Sequence, residues 1–105
     1  MAYILFVCSK NQWRSPTAQL LFKNNQQHIA KSAGTSSKAR IKVNQKLIDW
    51  ADVIFVMERK HKELLEKNFG SNRPLKIKVL NIEDNYQFGD PELIEMLKAQ
   101  LANYL

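Results

Sequence analysis

The chain has 105 residues, of which 45% are hydrophobic and only three each are Gly and Pro. This composition excludes collagen-like, low-complexity and disordered proteins, and the length predicts a single domain over residues 1–105. The longest apolar run near the N-terminus, residues 2–7, is too short to span a bilayer and lacks the flanks of a signal peptide. We therefore expect a cytoplasmic protein that has no membrane partner.

The formal net charge of +6 is distributed unevenly. Residues 1–50 carry eight Lys and Arg against one acid, Asp49, whereas residues 51–105 carry eight against nine acids. A basic half is typical of an anion site, although a solvated lysine-rich surface is the commoner cause. The densest basic cluster, in residues 38–46, has neither interleaved aromatic residues nor an RNA-binding signature, so nucleic acid is not the expected partner.

Strands and helices are predicted to alternate along the chain. Residues 3–7 form a continuous apolar run, which predicts a central strand buried on both faces. Ser15 and Pro16 then predict the N-cap and first residue of a helix that ends near residues 24–25. The later patterns predict a weak strand at 28–32, an exposed basic loop at 36–42, a short helix near 47–51, a buried strand at 53–57, a helix at 60–69 ended by Gly70, a strand at 76–80, and a last helix that starts at Asp90 and Pro91.

This alternation predicts an α/β fold, because parallel strands require crossover connections. We expect a small doubly wound, four-stranded parallel sheet with helices on both faces. Ligands in such folds bind beyond the carboxyl ends of the strands, and Cys8 directly follows the first strand. The site is therefore expected in the loop that begins at Cys8.

Cys8 is the only cysteine, which excludes an intrachain disulfide and a multi-cysteine metal site. Its loop lies between a buried strand and a helix start, where backbone N–H groups and the helix dipole attract an anion and favour a thiolate. Arg14 can offer a planar guanidinium to two oxygens of a tetrahedral oxyanion, and Ser15 can donate a hydrogen bond to the sulfur. Taken singly, a strand-ending cysteine, a surface arginine and a capping serine are commoner, but their joint placement favours a functional loop.

Residues 7–18, with the sequence VCSKNQWRSPTA, resemble the signature loop of the low-molecular-weight protein tyrosine phosphatases. Residues 32–35, SAGT, match a recurring tetrapeptide of that family, and residues 82–86, IEDNY, resemble the segment that carries its general-acid aspartate. More narrowly, the chain is similar to the short bacterial branch of predicted tyrosine phosphatases. The resemblance implies a metal-independent phosphatase of the same fold that needs no cofactor.

The resemblance also implies a role for individual residues. Cys8 would attack phosphorus to form a phosphocysteine, Arg14 would bind phosphate oxygens, and Asp84 would act as the general acid. Asp90 is the alternative general acid, although a helix N-cap is also a sufficient explanation for it. Asn11 would shape the loop and Ser15 would steady the thiolate. The phosphate-binding loop then comprises Ser9, Lys10, Asn11, Gln12, Trp13, Arg14 and Ser15.

Some residues depart from the family pattern. Lys10, Gln12 and Trp13 replace the small or apolar residues and the second cysteine that are usual in the loop, and Asn85 stands where proline is usual. The chain is also shorter, which predicts a shallower pocket. Trp13 can supply an aromatic face there, although a tryptophan near a helix start is at least as often a core residue.

The resemblance implies that the substrate is a phosphorylated protein or a small aryl phosphate and that inorganic phosphate or sulfate binds at the loop. The alternative function is a non-catalytic phosphate-recognition module or a phosphocysteine carrier. His28 and His61 have no partners at a recognisable catalytic spacing and are interpreted as structural or solvent-facing.

Overall fold

The computed structural model describes residues 2–70 and 74–104. In these ranges strands and helices alternate as β1 (Ala2–Cys8), α1 (Arg14–Leu20), β2 (His28–Gly34), α2 (Gln45–Trp50), β3 (Val53–Val56), α3 (Arg59–Phe69), β4 (Ile77–Val79) and α4 (Pro91–Leu101). The predicted α/β order is confirmed. Within the same ranges, none of the helices combines the length and apolar character that a membrane crossing requires.

The strands form one parallel sheet in the order β2-β1-β3-β4, as the alternation with helices predicts. β1 lies inside the sheet, where its register places Cys8 opposite Gly34 of β2 and Val7 opposite Val56 of β3. The carboxyl ends of three strands therefore meet at one edge of the sheet. Cys8 lies at the centre of that edge.

Helices cover both faces of the sheet, as predicted. Ile4 and Phe6 of β1 belong to a core that also contains side chains of α1 and α4, whereas Leu5 and Val7 belong to a second core with side chains of α2 and α3. These four β1 side chains are fully buried, and burying an aliphatic or aromatic side chain contributes about 2 kcal/mol. Packing on both sides therefore fixes the strand that carries Cys8.

The prediction that Ser15 is the N-cap of the first helix is wrong. α1 begins at Arg14, and Trp13 occupies the cap position without a side-chain hydrogen bond. Ser15 lies in the first turn, where its hydroxyl contacts the Cys8 sulfur. The α-helix also ends at Leu20 rather than near residues 24–25, because the following backbone N–H groups bond to carbonyls three residues back.

The predicted start of the last helix is confirmed. The Asp90 carboxylate accepts a hydrogen bond from the Glu92 backbone N–H at 2.9 Å, and Pro91 is the first helical residue. A carboxylate at this position satisfies a backbone donor that the helix itself leaves free. The capping contact thus accounts for Asp90 without a catalytic role.

Candidate active site

A cleft of about 100 Å³ opens at the carboxyl end of β1. It is lined by Cys8, Ser9, Lys10, Gln12, Trp13, Arg14 and Asp84. All of these residues were selected from the sequence. The two other selected loop residues, Asn11 and Ser15, are fully buried behind the cleft, and Asp90 is not among the lining residues.

A larger groove of about 460 Å³ lies beside α1 and the start of β2. It includes exposed apolar side chains such as Leu20, Ile29 and Phe88. The sole cysteine lies in the smaller cleft instead, with the buried arginine. The candidate catalytic residues therefore lie in the smaller cleft.

The Cys8 sulfur lies against a polar pair in the first turn of α1. Its Sγ is 3.0 Å from the Ser15 hydroxyl, and the Asn11 amide donates a hydrogen bond to the same hydroxyl oxygen at 2.9 Å. A thiolate has no hydrogen to donate, so with Cys8 ionised the hydroxyl donates to the sulfur, while the Ala33 carbonyl lies farther away at 3.4 Å. A hydrogen bond of this kind stabilises a thiolate relative to a thiol.

The loop backbone is held against the segment that follows β2. Asn11 adopts a left-handed conformation with φ of 56°, which asparagine tolerates better than most residues. Its carbonyl accepts a hydrogen bond from Arg40 Nε at 3.1 Å. A Cβ atom at Gly34 would lie 2.5 Å from the Ser9 carbonyl oxygen, so the close approach of the two segments requires glycine. The conformation of the loop that begins at Cys8 thus depends on residues distant in sequence.

Arg14 is buried and is held by the segments that follow β3 and β4. Its Nη1 donates to Glu58 Oε1 at 2.6 Å and to the Ile82 carbonyl at 2.8 Å. Arg14 is only 2% exposed, so the carboxylate of Glu58 supplies the counter-charge that a buried guanidinium requires. Both hydrogen bonds use Nη1, and on the Nε edge of the guanidinium Asp84 Oδ1 lies 3.6 Å away.

The contact with Arg14 also determines the charge state of the Glu58 carboxyl. Burial tends to raise the pKa of Glu58, but the hydrogen bond and positive charge of Arg14 outweigh burial and hold it below the ordinary value. Glu58 is therefore ionised at neutral pH. Arg14 is fixed by a charged partner rather than by solvent.

Asp84 reaches the cleft from the segment after β4. Backbone hydrogen bonds from Leu80 to Val56 and from Ile82 to Met57 hold this segment beside the end of β3. Asp84 Oδ1 then lies 3.6 Å from Arg14 Nε, and the side chain is about half exposed. Of the two acids considered from sequence, Asp84 lines the cleft and Asp90 caps α4.

His61 was not expected at the site. It is fully buried, and its Nε2 lies 2.9 Å from the Ser9 hydroxyl, while its Nδ1 accepts a hydrogen bond from the Glu58 backbone N–H. Burial, assisted by the positive charge of Arg14, lowers the pKa of His61 to about 4 against the opposing charge of Glu58. The contact with Ser9 spans 52 positions, so spacing alone did not reveal it. The local pattern, a histidine three residues after Glu58 at a helix start, indicates a capping contact and not the contact with Ser9.

Trp13 and Lys10 form the outer wall of the cleft. Trp13 is 41% exposed and Lys10 is also exposed, so neither closes the site. Trp50, in contrast, is half-buried and stacks on Tyr3 with ring centroids 5.2 Å apart. Residues 2–70 and 74–104 contain no group of three or more His, Cys, Asp or Glu side chains suited to hold a metal ion.

Comparison with protein-family models gives no match, and no curated protein sequence matches significantly. Solved structures do match. YwlE arginine phosphatase from Geobacillus stearothermophilus superposes with a TM-score of 0.71 and 26% identity, over 98% of this chain and 92% of that one. A YwlE mutant with a phosphorylated active-site serine gives a TM-score of 0.70 and 26% identity, over 96% and 93% of the two chains.

The fold also matches a phosphatase that is named for tyrosine rather than arginine. The low-molecular-weight protein tyrosine phosphatase from Streptococcus pyogenes superposes with a TM-score of 0.80 and 17% identity, over 100% of this chain and 94% of that one. These structural neighbours are thus phosphatases, and the superposition covers nearly their full lengths. The predicted family resemblance is confirmed: this chain has the fold of the low-molecular-weight protein tyrosine phosphatases, and the comparisons support a hydrolase of the phosphatase type.

Proposed function

We propose that the protein hydrolyses aryl phosphate monoesters, such as phosphotyrosine, through a phosphocysteine intermediate. One observation carries the proposal: Cys8, Arg14 and Asp84 line the same small cleft. A nucleophile, an oxyanion-binding fork and an acid are the three groups that such a reaction needs. The phosphorylated active-site serine in the YwlE mutant supports a covalent step, because that residue accepts a phosphoryl group in a similar structure.

In the first step, the Cys8 thiolate attacks phosphorus opposite the ester oxygen. The S–P bond forms as the P–O bond breaks, and the leaving oxygen takes the bonding electrons together with the proton of Asp84. In the second step, the Asp84 carboxylate accepts a proton from water as the water oxygen attacks phosphorus. The S–P bond then breaks, and the thiolate and inorganic phosphate are released.

Arg14 is proposed to bind the equatorial oxygens that gain charge in both steps. Its Nη1 is already bonded to Glu58 and Ile82, so the guanidinium does not have to reorganise when the phosphoryl group arrives. Preorganised donors of this kind contribute more than donors that move during the reaction. Ser15 would stabilise the sulfur both as attacking and as leaving group, since its hydroxyl lies 3.0 Å away.

The physiological substrate is proposed to be a phosphorylated protein or a small aryl phosphate. The exposed Asp84 and Trp13 leave the cleft open, which suits a phosphorylated side chain that projects from a protein surface. Phosphoarginine is the second candidate, supported by the higher sequence identity to YwlE arginine phosphatase than to the Streptococcus enzyme. We place the reaction in the cytoplasm, where reducing conditions preserve a nucleophilic thiol.

The direct test is release of phosphate from p-nitrophenyl phosphate, phosphotyrosine peptides and phosphoarginine in the presence of a metal chelator. We expect multiple turnovers by the wild-type protein and none by Cys8→Ser. A phosphocysteine carrier would accept one phosphoryl group and stop. A recognition module would bind the phosphorylated substrate without hydrolysing it. Either result would replace the proposed hydrolysis with the corresponding alternative.

A further inference from the structure

His61 is a fully buried imidazole to which the proposed reaction gives no role. It lies in the first turn of α3, and its two ring nitrogens contact different parts of the site. Nδ1 is 3.0 Å from the Glu58 backbone nitrogen, and Nε2 is 2.9 Å from the Ser9 hydroxyl oxygen. His61 thus joins the start of α3 to the loop residue that follows Cys8.

The direction of each hydrogen bond follows from the backbone contact. A backbone N–H can only donate, so Nδ1 of His61 must be the unprotonated, accepting nitrogen. A neutral imidazole carries one proton, which must then reside on Nε2. Nε2–H therefore donates to the Ser9 oxygen, and the alternative, in which Ser9 donates to the ring, is excluded.

This arrangement leaves the Ser9 hydroxyl as a donor. Its oxygen already accepts a hydrogen bond from His61, and no other side-chain partner of that hydroxyl occurs among the described residues. Ser9 also lines the cleft beside Cys8 and Arg14. Its O–H hydrogen is consequently free to point toward a ligand there.

We propose that His61 is a positioning residue that turns the Ser9 hydroxyl toward the cleft, where it donates a hydrogen bond to an oxygen of the bound phosphoryl group. This inference rests on the proposed phosphatase function. The chain contains a parallel arrangement on the other side of the loop, where the Asn11 amide donates to Ser15 and leaves that hydroxyl for the Cys8 sulfur. In each case a buried N–H group donates to the hydroxyl oxygen and leaves its O–H hydrogen for another partner.

The charges around His61 preserve this proton arrangement. Arg14 and Lys60 disfavour the imidazolium, and Glu58 and Asp84 favour it. Burial is the largest influence and keeps the pKa near 4, so the ring is neutral over the physiological range. A second proton on Nδ1 would also break the bond from the Glu58 N–H.

The proton arrangement is tested by long-range ¹H–¹⁵N NMR correlation of the wild-type protein at pH 7. We expect His61 as the Nε2–H tautomer, with His28 as the internal reference ring. Observation of the Nδ1–H tautomer at His61 would overturn the inference, because Ser9 would then have to donate to the ring. This measurement does not depend on enzyme activity.

The role of the hydroxyl is tested by a double-mutant cycle with Ser9→Ala, His61→Asn and both together. Loss of a hydrogen bond to a charged group changes a rate or binding constant by roughly tenfold to hundredfold. Ser9→Ala should therefore lower kcat/KM and weaken inhibition by inorganic phosphate by that factor. Ser9→Thr retains the hydroxyl and should keep most activity. In His61→Asn the side chain retains an acceptor for the Glu58 N–H but is too short to reach the Ser9 hydroxyl as the ring does.

If His61 acts through Ser9, the double variant should lose no more than the larger single loss. Additive losses in the cycle would contradict the inference and assign His61 to helix stability alone. Should His61→Asn not fold, an unchanged kcat/KM and phosphate inhibition in Ser9→Ala would still overturn it. If the wild type hydrolyses no substrate, the proposed function fails, while thermal shifts of wild type and Ser9→Ala with inorganic phosphate still decide the role of the hydroxyl.

Discussion

Arg14 Nη1 and Glu58 Oε1 lie 2.6 Å apart and join the first turn of α1 to the residue that precedes α3. The pair links the segment that follows β1 to the segment that follows β3. It therefore fixes the guanidinium relative to Cys8 before any ligand is present. The consequences of this geometry can be tested residue by residue.

Replacement of the nucleophile should eliminate turnover. Cys8→Ser retains the hydrogen-bonding geometry but replaces a thiolate with a hydroxyl that is not ionised at neutral pH. We expect p-nitrophenol release to fall to the uncatalysed level, measured by absorbance, with an unchanged melting temperature. Retained turnover in this variant would rule out the covalent mechanism.

Arg14→Lys should remove most activity although the positive charge is kept. A lysine ammonium is a point charge and cannot bond Glu58 and present a planar fork to two phosphate oxygens. We expect kcat/KM to fall by roughly a hundredfold to a thousandfold, as for the loss of other preorganised donors. Arg59→Lys, on the exposed side of α3, is the matched control and should leave steady-state kinetics unchanged. Equal efficiency of the two variants would refute the role of Arg14.

The two acids can be separated by the leaving group. If Asp84 donates the proton, Asp84→Asn should lose on the order of a hundredfold or more with a poor phenolic leaving group and less with an activated one. Asp90→Asn should leave kcat unchanged with both substrates, because asparagine caps a helix almost as well as aspartate. A leaving-group-dependent loss at Asp90 alone would transfer the role to that residue.

Stability should decrease as the pH falls from about 6.5 toward 4. The folded-state pKa of His61 is about 4, below the ordinary value of 6.5, so the unfolded chain binds the proton first in this window. We expect the free energy of unfolding to drop by about 2 kcal/mol between pH 7 and pH 5, measured by urea denaturation. His61→Asn should show a smaller drop over the same interval. An equal pH dependence of the two proteins would contradict the assignment.

Gly34→Ala should disturb the loop and the fold together. The added Cβ would lie 2.5 Å from the Ser9 carbonyl oxygen and 2.7 Å from the Ala39 Cβ, so one segment must shift. We expect a destabilisation of about 1–3 kcal/mol, as for other overpacked sites, and a loss of kcat/KM. Calorimetry and steady-state kinetics measure the two effects. Wild-type values for both would show that the two segments are not tightly apposed.

Local sequence patterns predicted the elements whose causes are local. The apolar runs of β1 and β3 predicted buried parallel strands, and the Asp90-Pro91 pair predicted the start of α4. Ser15 was misassigned as a cap because its partners, Cys8 and Asn11, meet it only when the loop folds back. Serine before proline is a common capping pattern, and here a tertiary contact overrides it.

The supporting contacts of the site were beyond sequence reasoning. Arg14 and Glu58 are 44 positions apart, and Ser9 and His61 are 52 apart. Side chains so distant are brought together by the register of β1 beside β3, which the pattern of apolar residues does not specify. The loop residues could be named from the sequence, but the groups that orient them could not.

Glu58 supports the site with both its side chain and its backbone. The carboxylate holds Arg14, and the backbone N–H holds the ring of His61. Fraying of the first turn of α3 would therefore release both sides of the loop at once, even while the sheet stays intact. Local opening at this helix end, observed as amide hydrogen exchange of Glu58, then sets an upper limit on the fraction of molecules with an assembled site.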